Sequence, residues 1–192
     1  GSLARRPPHT SMSPHATALY WLLAGMALAA MLAASMAPLA EEIWPARGWR
    51  WRGVSPAAYG ATLLVSMFAL GWPAFFAPRP LDPDESQFIA GALTLAHDPW
   101  PWRSLDGDTA GPLVYELLLP LAKLGSLHYA GPRAVGCVLV FIALWFAYRA
   151  LRSVWGDAAA RVGVMPAAVI FACSVHEQFV HYASEQVVLP LL

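Results

Sequence analysis

The chain has 192 residues, 12 acidic and 12 basic side chains, and 58% hydrophobic residues. Only 12% of its residues are charged, against roughly 25% in soluble domains, which argues against an ordinary water-soluble globule and for a bilayer protein. Net charge is zero, so there is no electrostatic footprint for nucleic acid. The two cysteines, Cys137 and Cys173, each lie inside an apolar run and read as small buried hydrophobes rather than a disulfide or a metal pair.

The chain opens with Gly1-Ser2, and Met12 is an alternative natural start. Residues 1–16 read as a tail. Residues 17–39 form the first apolar run, long enough for a bilayer-crossing helix of about 20 residues. Gly25, Ala29, Ala33 and Ala37 recur along it every four residues, a small-residue stripe that admits a second helix closely. Residues 40–56 form a short loop with Arg47, Arg50 and Arg52, which the positive-inside rule places in the cytoplasm. The second span, 57–77, ends in Trp72, Phe75 and Phe76, suited to an interfacial aromatic belt.

Residues 79–111 then form a polar loop holding six of the 12 acidic side chains: Asp82, Asp84, Glu85, Asp98, Asp106 and Asp108. Alternation from the arginine loop faces it outward. Asp82 is a good helix N-cap, Pro83 suits the first helical position, and Glu85 stands where a capping box would use it. The helix after it carries Phe88, Ile89, Ala92, Leu93 and Ala96 on one side, the pattern of a short amphipathic helix on a membrane surface. Capping uses Asp82 and Glu85 and leaves Asp84 spare, placed to accept a proton from a hydroxyl or amine.

Residues 112–127 are a third apolar run, with Glu116 and Lys123 seven residues apart. On one helix those two would share a face and turn toward the bundle. Residues 134–151 form a fourth span, and 162–175 a short fifth one interrupted by Pro166. Simple alternation puts Arg152 and Arg161 on the side of the acidic loop, whereas the arginine bias puts them opposite. A shorter run that fails to cross would remove the conflict. Beyond it, Glu177, His181 and Glu185 fall at i, i+4 and i+8, ligand types for a metal if they share one helix face. The final residues, 187–192, are apolar, and the expectation is the N-terminal part of a longer polytopic all-α protein.

Several segments together resemble a known family. They are an apolar span, Leu81-Asp82-Pro83-Asp84-Glu85-Ser86-Gln87-Phe88, and then Gly111-Pro112-Leu113-Val114-Tyr115 opening the next apolar run. Ala130-Gly131-Pro132-Arg133 and His181-Tyr182-Ala183-Ser184-Glu185 follow. The pattern, over residues 57–192, is similar to the GT-C membrane glycosyltransferases, nearest to bacterial relatives of protein O-mannosyltransferases and lipid A aminoarabinose transferases. The resemblance implies a multi-pass enzyme of the bacterial inner membrane with its site facing outward. Its donor would be a polyprenyl-phosphate sugar and its acceptor a lipid, glycan or protein. Asp84 would be the general base, with Glu85, Gln87, Arg103, Asp108, Arg133 and Glu185 binding substrate. No cofactor is demanded, and a divalent metal is left open. Thr109-Ala110 stand where the aminoarabinose branch has a Glu-Lys pair, Phe88 stands for the usual tyrosine, and the span at 17–39 is additional. The rival readings are a transporter or flippase, with Glu116, Lys123 and Glu185 along the substrate path, and a non-catalytic membrane scaffold.

Overall fold

A computed structural model describes residues 14–43, 54–78, 80, 82–105, 110–125, 127–174 and 180–191. All regular structure among them is helical: α1 (Pro14–Ile43), α2 (Pro56–Phe75), α3 (Pro83–His97), α4 (Pro112–Glu116), α5 (Leu119–Lys123), α6 (Ala130–Cys173), α7 (Ser184–Val188) and a closing 3₁₀ turn (Leu189–Leu191). Among the described residues three helices are long and apolar enough to cross a membrane, namely α1, α2 and α6.

A straight helix of 44 residues would run about 66 Å, twice the roughly 30 Å hydrocarbon thickness. Instead α6 folds back at Gly156, whose φ of 80° and ψ of 176° are non-helical. Tyr148 donates its hydroxyl to the Asp157 carboxylate across the bend. A Cβ at Gly163 would lie 3.3 Å from Leu151 Cδ1, so the two arms pack side by side. The expected fourth and fifth spans are these two arms.

Hydrogen bonds fix the order of the segments. The Tyr20 hydroxyl donates to Leu70 O at 3.0 Å and Ser66 Oγ to Ala27 O at 2.9 Å, so α1 runs antiparallel to α2. The first arm of α6 starts at the end of α2, where Arg133 meets Ala74 O, and passes the start of α2, where Tyr148 packs on Tyr59. The second arm begins beside Val54 and returns, so that Phe171 and Ser174 share a crevice with Met67, Gly71 and Phe75. The bundle core contains Met31, Leu63, Met67, Val140, Leu144, Val164 and Ala168. Gly60 lets Trp145 approach, since a Cβ there would sit 2.8 Å from the indole.

A second core caps one end of this bundle. Phe88, Ala92, Leu95, Val114, Tyr115, Leu118, Tyr182 and Val187 build it from α3, α4, α7 and the connecting segments.

Several expectations change. Residues 112–127 do not form a span. Pro120 has no amide hydrogen and its ring collides with the carbonyl four residues back, at Glu116, so the run splits into two five-residue helices. Gly125, at φ 67°, ends the second of them in the left-handed form. Glu116 and Lys123 are therefore both exposed and do not face the bundle. On α1, Gly25, Ala29 and Ala33 are exposed, and the packed face is Ala24, Met31, Ala34, Ser35 and Ala37. The amphipathic α3 packs its apolar side on α4 and α5 rather than presenting it to a bilayer, and Leu93 points away. Cys173 is exposed, not buried.

Arg149, Arg152 and Arg161 flank the Gly156 bend, at the end of the bundle where α1 finishes and α2 begins. Arg161 bonds to Ala34 O at 3.0 Å and Val54 O at 2.5 Å at that end.

Candidate functional site at the acidic end

The end of α2 leaves unpaired carbonyls and the negative pole of the helix dipole. Arg133, in the first turn of α6, covers them. Its Nη1 donates to Ala74 O at 2.7 Å, Ala77 O at 2.9 Å and, more weakly, Phe75 O at 3.4 Å. Its Nε and Nη2 make a two-pronged bond to Glu85, at 2.6 Å to Oε1 and 2.7 Å to Oε2. The guanidinium also lies over the Tyr129 ring, 5.2 Å from its centroid. Both charged side chains are 0% exposed. A buried charge is tolerable when paired with good geometry and further hydrogen bonds, and here a single ion pair links three helices.

Glu85 is turned inward because α3 is anchored on its underside. Phe88 packs edge-on against Tyr115 and Tyr182, with centroids 5.7 and 6.0 Å away. Tyr182 donates its hydroxyl to Val114 O at 2.8 Å, and its burial pushes its ionisation upward. Gly91 makes room for the Tyr115 ring, which would lie 2.5 Å from a Cβ. Below α3, Gln186 donates to His181 O at 3.0 Å, and its Oε1 would be 2.1 Å from a Cβ at Gly136. Segment 181–187 is thereby locked to α6.

With its underside held, α3 shows Asp84 and Gln87 to solvent, one turn apart on the same face. Asp82 caps the helix as expected, its Oδ1 accepting from the Asp84 amide at 2.9 Å. Glu85, at the capping-box position, is paired with Arg133. In this arrangement the Glu85 and Arg133 side chains offer no surface to solvent.

Among the described residues neither Arg103 nor Glu185 makes a hydrogen bond or ion pair to Asp84. Arg103 lies in the turn after α3, its Nε donating to Asp98 Oδ2 at 2.9 Å. Hydrogen bonds from Arg103 and then Ser104 hold the Asp98 carboxyl below its usual range. Between Trp100 and Arg103, Trp102 adopts φ 71°, uncommon for a bulky residue. Glu185 is exposed on α7. Asp108, together with Asp106 and Glu177, lies outside the described residues. Of the expected stripe of Glu177, His181 and Glu185, the two described residues do not share a continuous helix: Ala183 between them is extended, at φ −134° and ψ 155°, His181 is buried and Glu185 exposed. Among the described residues no three His, Cys, Asp or Glu side chains come together as a metal site would need. Glu116, Lys123 and Glu185 are each exposed and do not line an enclosed path.

Sequence reasoning missed the direct link between Glu85 and Arg133, 48 residues apart. Comparisons with protein-family models, with curated proteins and with solved structures return no match for this chain.

Proposed function

We propose that this chain works as an inverting membrane glycosyltransferase of the GT-C type, moving a sugar from a polyprenyl-phosphate donor to a lipid, glycan or protein acceptor on the outer face of a bacterial inner membrane. The observation that carries the reading is the setting of Asp84. It is an exposed carboxylate in the first turn of a capped helix, and the residue next to it is pinned to the bundle by a buried ion pair.

Orientation supports it. The arginine-bearing bend of α6 and the start of α2 lie at one end, and α3 at the other. With the arginine end in the cytoplasm, Asp84 faces outward. In the proposed step the acceptor oxygen attacks the anomeric carbon. The bond from that carbon to the phosphate oxygen breaks, and the phosphate leaves with the electron pair. Asp84 takes the acceptor proton. Charge grows on the departing phosphate, and Arg103, 67% exposed, is the cation offered to it. Gln87 and Glu185 are polar groups open to the acceptor. Glu85 and Arg133 act as positioning residues for the turn that bears Asp84.

The test is Asp84→Asn, assayed for transfer from a polyprenyl-phosphate sugar in membranes of cells producing the protein. Loss of a general base should lower the rate by about 10²–10⁴-fold with membrane insertion unchanged. Full activity in that variant would overturn the reading.

A further inference from the structure

The end of the bundle opposite α3 has a different chemistry. Arg149, Arg152 and Trp155 follow one another at one-turn spacing just before the Gly156 bend. Arg149 is exposed and has no ion pair among the described residues. Arg152 is 43% exposed and reaches Asp157 Oδ1 only at 3.4 Å. That carboxylate is already engaged, with Oδ2 accepting from Arg161 Nη2 at 2.7 Å and Oδ1 from the Tyr148 hydroxyl. Two arginines thus share one aspartate and Arg149 has none, so the surplus positive charge sits on Arg149 and Arg152 at the surface. Trp155 is exposed beside them, and Phe146 is exposed further along the same arm.

We propose that Arg149, Arg152 and Trp155 form a docking surface for the headgroups of anionic phospholipids in the adjoining leaflet. A guanidinium presents two parallel N–H groups that match a phosphate. An indole settles at the boundary between headgroups and acyl chains. The basic patch is continuous with the apolar flank of the span, so a lipid fits it better than a soluble anion: headgroup on the arginines, acyl chains along the helix side marked by Phe146. Helix-end arginines of this kind draw anionic lipid over neutral lipid by about fivefold each. This inference is independent of the glycosyltransferase proposal, because it needs no catalysis.

Native mass spectrometry of the full chain, released from mixed micelles of equal phosphatidylglycerol and phosphatidylcholine, tests it. Phosphatidylglycerol should be retained preferentially. Arg149→Gln with Arg152→Gln should lower that preference about tenfold or more. Arg149→Lys with Arg152→Lys should keep most of it. Lys123→Gln, at the other end of the bundle, should leave it unchanged. An unaltered preference in the double glutamine variant would overturn the proposal. So would an equal loss in Lys123→Gln, which would mean bulk attraction. Displacement of the lipid by millimolar inorganic phosphate would overturn it too, pointing to a soluble anion as the ligand.

Discussion

Two buried arginines stand at opposite ends of the bundle, and they are held in different ways. Arg133 finds its carboxylate on a helix 48 residues earlier and directs its remaining donors at the end of α2. Arg161 finds its carboxylate one turn earlier on its own helix, and uses Ala34 O and Val54 O to draw α1 and α2 together. Its guanidinium rests on the Tyr59 ring at 4.8 Å, and its Nε has no hydrogen-bond partner among the described residues. Glu85 is wholly enclosed, whereas Asp157 is 31% exposed and shared with Tyr148 and Arg152. The long-range pair attaches a surface helix to the membrane bundle. The local pair secures a bend and leaves its mutual attraction partly open to water.

That contrast ranks the expected effects. Glu85→Ala strands a buried guanidinium and should cost about 3–5 kcal/mol, seen as a lower unfolding midpoint in detergent. Asp157→Asn should cost less, about 1–3 kcal/mol, because the carbonyls of Ala34 and Val54 still receive Arg161. Equal losses from the two substitutions would remove the distinction. Gly136→Ala forces Gln186 out of its seat and should cost about 1–3 kcal/mol. Faster amide exchange over 181–187, without change in α1 or α2, would mark it as local.

The smallest effect is in the turn after α3. Asp98 has its carboxyl depressed by Arg103 and then Ser104. A carboxyl lowered on folding contributes order above its unfolded value and loses it as pH falls through the folded value. Acid should therefore loosen the turn below the ordinary aspartate range. Emission from Trp100 and Trp102 should follow that loosening, and Asp98→Asn should abolish the pH dependence.

Much of the helical bundle was legible because apolar length alone marks helices long enough to cross a bilayer. The cap on α3 was equally legible, since Asp82 and Pro83 act on their own neighbours. The third apolar run misled, because hydropathy does not register that Pro120 removes a donor and breaks the helix between Glu116 and Lys123. The stripe on α1 misled for a related reason: small residues permit close approach without saying which face is used. Within the candidate site, Asp84 was readable as a carboxylate left over from capping. The inward turn of Glu85 was not, since it depends on Phe88, Gly91 and Tyr115 seating α3 and on an arginine from a distant span.

A double-mutant cycle on Glu85→Gln and Arg133→Gln, followed by unfolding in detergent, tests most directly whether that ion pair fastens α3 to the bundle. The geometry predicts two costly single variants and a double variant no worse than the worse single, a coupling of about 2 kcal/mol or more. Losses that simply add would show that the two side chains act separately, and would contradict the account.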